Sequence, residues 1–299
     1  MNKVIVVVGP TAVGKTKISI ELAKYYNCDV ISGDSVAIYK KLDIGSAKPT
    51  KDEMQGVKHH LIDILEPGSD YSVADFQRHA RKIMDDNSLS LICGGTGLYV
   101  QGALFNYEFK AQKRDLDFGK KFEHLTNEEL FNYLLQLDPN IDTNKLHPNN
   151  RKRVLRAIEV KGELNESIHS FNKNKEALYD YYIVYLSMPR EKLYDRINKR
   201  VDKMINDGLL NEVKALYDDG IYPHAIGYQE LVPYFNNEIS LETAIEEIKK
   251  NTRHLAKRQE TWFKNQMESH FYEVNIDDIN STIELIKNDI NRWLKWEFI

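Results

Sequence analysis

The chain has 299 residues, 42% of them hydrophobic and 29% charged, with 45 acidic against 41 basic side chains and a net charge of −4. That length and balance suit a soluble globular protein with one large domain, or a core plus a smaller insertion; they exclude a globally basic nucleic-acid binder, so any RNA or DNA surface must be local. The two cysteines, Cys28 and Cys93, stand outside any C-x-x-C pattern, no apolar run approaches the roughly 18 residues of a membrane span, and Lys3 leads into a strand without a signal-peptide pattern, so a cytoplasmic protein with reduced thiols is expected.

Val4-Ile5-Val6-Val7-Val8 reads as a strand over 3–8. Gly9-Pro10-Thr11-Ala12-Val13-Gly14-Lys15-Thr16 follows with the spacing G-x-x-x-x-G-K-T, and a helical period then runs to about Tyr26. Strand, glycine loop and helix are the context that makes this spacing a phosphate site. The glycines let backbone N–H groups turn inward around an anion, and the helix adds the positive end of its dipole. Lys15 supplies a mobile charge, and Thr16 a hydroxyl suited to Mg²⁺. The spacing does not say which phosphate compound binds.

A second strand, Cys28 to Ser32, ends in Gly33-Asp34-Ser35. That puts a carboxylate at the carboxyl end of a strand, the edge where open α/β sheets bind ligands. Residues 40–70 read as loop, with Lys48-Pro49 and Pro67-Gly68 as breakers. His59-His60 lies within it without further ligands at metal spacing, so a structural or solvent role is expected for the pair. A helix is expected over about 72–86. A third strand at 89–93 runs into Gly94-Gly95-Thr96-Gly97, with a helix from Leu98. This third strand lacks the terminal acid that P-loop phosphoryl-transfer enzymes place beside Mg²⁺. Asp34 is then the available carboxylate, as a metal ligand or as a general base for a hydroxyl or amine acceptor.

From 106 to 145 polar residues dominate. Helical patterns near 115–125 and 127–137, the second opened by a Thr126/Glu129 capping box, read as a small helical insertion. The core is accordingly expected at 1–105 and 146–299. Four of the six residues 151–156 are basic. Tyr179 to Ser187 reads as a strand, and the helical region after Pro189 carries Arg196, Arg200 and Lys203 at helical spacing. Ser240 caps a helix to about Lys264, whose later half mixes basic residues with Trp262 and Phe263, a texture for phosphate contact and stacking. A strand at 271–274 and a helix opened by Ser281 with Glu284 complete an α/β chain, a parallel sheet core flanked by helices.

In this order, GPTAVGKT at 9–16, GDS at 33–35, DIGSAKP at 43–49, GGTGLY at 94–99, HPNNRKRVLRAIEV at 147–160, GY at 227–228 and RHLAKRQETWF at 253–263 resemble the bacterial tRNA dimethylallyltransferases, or tRNA isopentenylpyrophosphate transferases. The resemblance covers nearly the whole chain. It implies a P-loop NTPase- or kinase-like fold and transfer of a dimethylallyl group from dimethylallyl diphosphate to N6 of adenosine 37, in tRNAs that read codons beginning with U. Mg²⁺ is the implied cofactor and the anticodon stem-loop of tRNA the implied partner; a monomer is expected. Carried over residue by residue, Asp34 would be the base, Thr96 would lie near the reacting centre, and Arg200 would reach the diphosphate. Gly9, Pro10, Thr11, Ala12, Val13, Gly14, Lys15 and Thr16 would cradle that diphosphate, with Thr16 on the metal. tRNA contacts are implied at Asp34, Ser35, Val36, Ala37, Thr96, Arg114, Lys152, Arg153, Arg156, Gly227, Tyr228, Lys257, Arg258, Gln259 and Trp262. Ala37 stands where the family often has glutamine, and no cysteine follows Cys93, so the zinc finger of eukaryotic members is not expected. The rival readings are an ATP-dependent small-molecule kinase, prenyl transfer to a free adenine nucleotide, and a non-catalytic RNA-binding P-loop protein.

Overall fold

The computed structural model describes residues 1–107, 117–168 and 176–295. Two compact units divide the chain: Met1–Leu104 with Leu178–Ile299, and Phe105–Ala177. The first unit opens with β1 (Lys3–Val8), α1 (Lys15–Tyr26), β2 (Val30–Gly33), α2 (Lys51–Met54), β3 (His59–His60), α3 (Val73–Asp85), β4 (Leu89–Gly94) and α4 (Gly97–Leu104). The second unit carries α5 (Asn127–Leu137) and α6 (Arg151–Leu164). The chain returns to the first unit with β5 (Asp180–Ser187), α7 (Arg190–Asn206), α8 (Leu209–Asp218), α9 (Val232–Phe235), α10 (Leu241–Gln266), β6 (His270–Glu273) and α11 (Ile279–Lys295).

The strands form one parallel sheet in the order β3-β2-β4-β1-β5-β6. Val4 to Val8 of β1 are each 0% exposed, as an unbroken β-branched run in a central parallel strand requires. Parallel neighbours need crossovers, and the helices that make them cover the sheet. Ile18 and Leu22 of α1, Ile197 of α7 and Ile283, Ile286 and Ile290 of α11 pack in one cluster with Ile5 and Val7. A second cluster joins Leu42 to Val201, Leu209, Val213, Tyr228 and Ile248. Val8 pairs with Gly94 and Tyr185, and Gly33 with Gly94, so β1, β2 and β4 end level. The loops after all three open at one edge.

The second unit has its own core, where Leu130 and Leu134 of α5 meet Val154, Ala157 and Ile158 of α6. Arg151 donates to Phe122 O (2.6 Å) and Leu125 O (2.9 Å), tying α6 to the turn before α5. This differs from the expected boundary at 145, because the apolar face of α6 is buried within the insertion. Of the helical pattern near 115–125, Phe118–Phe122 forms a 3-10 turn.

The stretch expected as loop contains the edge strand β3. His60 Nε2 lies 2.8 Å from Asp29 Oδ2 and His59 Nδ1 2.9 Å from Val57 O, so both histidines tie the edge strand to its surroundings. The expected Ser281 cap is shifted. Asp278 Oδ1 accepts from Ser281 N (3.2 Å), while Ser281 lies in the first turn and donates its hydroxyl to Asp278 O (2.8 Å). Aspartate caps a helix as well as serine does, and it comes first in the chain.

The segment 42–48 is held from a distance. Glu212 of α8 accepts from the backbone N–H groups of Asp43 (3.0 Å), Ile44 (2.8 Å) and Gly45 (3.1 Å), and from the Tyr228 hydroxyl (2.7 Å). The Tyr228 ring leaves no room at Gly45, where a Cβ would sit 2.6 Å from it. Lys48, with its side chain 5% exposed, donates to Tyr39 O and to the carboxylates of Asp43 and Asp63. Glu212→Ala strands three N–H groups and a buried hydroxyl and is expected to lower unfolding free energy by about 3 kcal/mol, with Glu212→Gln recovering about half through one retained acceptor. Urea unfolding measures both; a loss of under about 0.5 kcal/mol would contradict the clamp.

Candidate active site

The chain leaves β1 at Gly9 with φ 148°, and a Cβ there would lie 2.4 Å from Leu186 O of β5. Glycine is therefore the residue this turn admits. Ala12 (φ 67°) and Gly14 (φ 112°) also lie in left-handed backbone, curling the loop over the start of α1. Gly14 is the N-cap of α1, and no side chain caps it. The first-turn N–H groups have no partners within the helix, and the dipole makes them an anion site. Lys15 Nζ folds back onto Gly9 O (3.0 Å) and Pro10 O (2.9 Å). Burial lowers its pKa to about 8, with Cys93 and Asp34 opposing the shift and Arg200 adding to it.

Facing the loop, α7 presents two arginines one turn apart. Arg196 Nε donates to Ala12 O (3.0 Å); Arg200 donates to Thr11 Oγ1 (3.3 Å) and Ala47 O (3.4 Å). Burial lowers the Arg200 pKa and nearby Asp34 opposes it, yet a guanidinium stays charged. From the end of β2, Asp34 Oδ1 accepts from Val36 N (2.8 Å) and Ala37 N (3.3 Å), an Asx turn that fixes the carboxylate. Lys15, Thr16, Asp34, Cys93, Arg196 and Arg200 line one cavity of about 710 Å³. Its lysines and arginines outnumber its carboxylates seven to three. Thr16 and Asp34 bring a hydroxyl and a carboxylate, both hard oxygen donors, to the same space. A cationic cradle with one fixed carboxylate can hold a polyanion and accept a proton beside it.

β4 bears no acid at its end for a steric reason: a Cβ at Gly94 would lie 2.3 Å from Gly33 O. Beyond it, Thr96 is half-buried and donates its N–H to Gly33 O (3.3 Å), holding the glycine turn against β2. α10 lies over that turn. The Gln259 amide accepts from Thr11 N (2.8 Å) and donates to Gly95 O (3.2 Å), and Trp262 covers Gly97, where a Cβ would come within 2.0 Å of the indole.

The residues read as RNA contacts therefore divide. Ser35, Lys257 and Arg258 are exposed, and Val36 and Trp262 half-buried. Ala37, Gly227 and Tyr228 are buried: Ala37 lines the cavity, Tyr228 supports the 43–45 turn from beneath, and Gly227 N donates to buried Glu230 (2.9 Å). In the second unit Lys152 and Arg153 are exposed, while Arg156 is paired at 2.6 Å with Glu159, itself 3% exposed. Arg114 lies outside the described residues. Two groups were not foreseen in these roles, Glu212 and the P-loop tether of Gln259. Neither sits in a spacing that marks it, since their backbone partners are more than 160 residues away.

The IPP transferase family model matches residues 37–266, and an isopentenyl transferase model matches residues 2–66. A tRNA dimethylallyltransferase of Oceanobacillus iheyensis is 44% identical across 96% of this chain and 96% of its own. The crystal structure of a tRNA isopentenylpyrophosphate transferase from Staphylococcus epidermidis aligns at TM-score 0.72 with 42% identity, over 98% of this chain and 99% of that one. A eukaryotic dimethylallyltransferase described as acting on tRNA aligns at TM-score 0.82 with 28% identity, over 98% of this chain and 80% of that one. With the family match and the full-length relatives in agreement, the chain belongs to the IPP transferase family, the tRNA dimethylallyltransferases.

Proposed function

We propose that this chain transfers a dimethylallyl group from dimethylallyl diphosphate to N6 of adenosine 37 in tRNA, giving N6-dimethylallyladenosine and diphosphate. One observation carries the reading: the P-loop, two arginines and a single turn-fixed carboxylate meet in one cavity. The allylic C1–O bond breaks and the C1–N6 bond forms, and the electron pair of the broken bond leaves on the diphosphate. Stabilising that developing charge is the main catalytic demand. Lys15, Arg196, Arg200 and the first-turn N–H groups of α1 meet it. Adenine N6 is a poor nucleophile because its lone pair is delocalised. Asp34 orients the amine and accepts its proton, with Thr96 beside the reacting centre. The Thr16 hydroxyl would hold Mg²⁺, which would supply positive charge to the diphosphate. The base reaches the cavity only by leaving its stack in the anticodon loop. Exposed Lys257, Arg258, Lys152 and Arg153 offer charge to the RNA backbone, and a monomer suffices for every step.

Labelled dimethylallyl diphosphate, with Mg²⁺ and unmodified tRNA, AMP or ATP plus small acceptors, separates this reading from its rivals. Label is expected in tRNA at adenosine 37; preferential labelling of AMP, or turnover of ATP with tRNA unlabelled, would overturn it. Asp34→Asn keeps an oxygen for the Asx turn and removes the base. Turnover is expected to fall by about 10²–10⁴-fold with tRNA affinity retained, and equal turnover would remove Asp34 from the chemistry.

Lys15 adds a pH signature. Its folded-state pKa, about 8, lies below the ordinary lysine value of 10.5, so the unfolded chain binds more protons between these values. Stability attributable to Lys15 then rises with pH across that window. Relative to Lys15→Met, the unmutated chain is expected to gain about 3 kcal/mol between pH 7 and pH 10.5, measured by urea unfolding without ligand. A difference that does not vary with pH would contradict the desolvated lysine.

A further inference from the structure

α10 has two faces with different tasks. Lys257 and Arg258 stand in solvent, while Gln259 and Trp262, three residues apart on the helix, press into the catalytic turns. Gln259 uses both ends of its amide. Oε1 takes the Thr11 N–H of the P-loop at 2.8 Å, and Nε2 gives to Gly95 O of the Thr96 turn at 3.2 Å. Thr11 follows the two residues whose carbonyls hold the Lys15 ammonium, and its hydroxyl accepts from Arg200. One side chain thus spans from the diphosphate cradle to the turn at the acceptor end. α10 is also fastened to the arginine-bearing helix α7, by Arg253 to Asn198 Oδ1 (2.7 Å) and Lys249 to Asp202 (2.9 Å). The glycine at 95 matches this arrangement, since a Cβ there would stand 2.1 Å from Gln259 Nε2.

We propose that Gln259 is a positioning residue that sets the separation between the diphosphate cradle and the Thr96 turn, so that the leaving diphosphate and the attacking amine are held in one line. The inference rests on the prenyl-transfer reading above. Gln259 does not touch the reacting atoms. It acts through the Thr11 N–H and Gly95 O, one bond from each end of its amide. Transfer between two separately bound groups tolerates little error, since a misplacement of about 1 Å costs about 10²-fold in rate.

Three variants test it: Gln259→Leu, which removes both bonds; Gln259→Glu, which keeps the acceptor for Thr11 N–H but turns the donor at Gly95 O into a second acceptor; and Gly95→Ala, which leaves Gln259 intact and displaces only the end of its flexible side chain. Each is assayed for binding of inorganic diphosphate with Mg²⁺, for tRNA affinity, and for kcat per folded site. Gln259→Leu and Gly95→Ala are expected to weaken diphosphate binding by about 10-fold, one hydrogen bond to the loop, and to lower kcat by about 10²-fold, with tRNA affinity within about 2-fold. Gln259→Glu, which adds a negative charge beside the loop, is expected to weaken diphosphate binding and lose kcat as well. The proposal is overturned if Gln259→Leu and Gly95→Ala retain kcat and diphosphate affinity per folded site, or if Gln259→Leu loses tRNA affinity alone. Should the unmutated chain fail to prenylate tRNA, the functional reading falls, and the diphosphate series by itself still decides whether the tether shapes the cradle.

Discussion

Backbone meets backbone at the carboxyl edge of this sheet, and the site depends on that crowding. Gly9 passes Leu186 O and Gly94 passes Gly33 O so closely that neither position admits a Cβ. Those strand ends contribute main chain and no side chains. The charge has to come from elements that reach over them: Lys15 and the start of α1, the arginines of α7, and Asp34 one residue beyond β2. The same crowding keeps an acid off the end of β4. The carboxylate at a strand end that faces the P-loop is then Asp34, fixed by its own turn.

The cradle is tuned by burial as much as by geometry. Lys15 gives its N–H groups to two loop carbonyls in a desolvated position that makes its charge costly. A bound polyanion relieves that cost, so the free protein is poised for diphosphate. Arg200 shares this logic, held between Thr11 and Ala47 with Asp34 nearby. Around the cavity, distant parts of the chain brace short loops: Glu212 braces 43–45 and Gln259 braces the P-loop. Precision in the site is therefore delivered by helices far away in sequence.

Local signals made much of this legible. A β-branched run, glycine spacing and a helical period announced β1, the P-loop and α1, and the Thr126/Glu129 pair announced α5. Asp34 was visible because strand ends bind ligands in such sheets. What stayed hidden was long-range. A two-residue edge strand at His59–His60 is too short for any periodicity. The basic run at 151–156 looked like one surface, yet Arg151 ties turns together and Arg156 pairs with a buried glutamate, leaving Lys152 and Arg153 exposed. Tyr228 carried a motif and proved to be a buried support. A motif marks a position that matters without telling whether its side chain meets the ligand or holds the residue that does.

The central claim is that the P-loop holds a leaving diphosphate and not a phosphoryl donor, and the fate of the bridging oxygen tests it most directly. Dimethylallyl diphosphate carrying a heavy-oxygen label between C1 and the first phosphorus is turned over with tRNA, and the products are weighed by mass spectrometry. Cleavage of the C–O bond sends all of the label into diphosphate and none into any alcohol. Label recovered in dimethylallyl alcohol, the mark of P–O cleavage, would contradict the account.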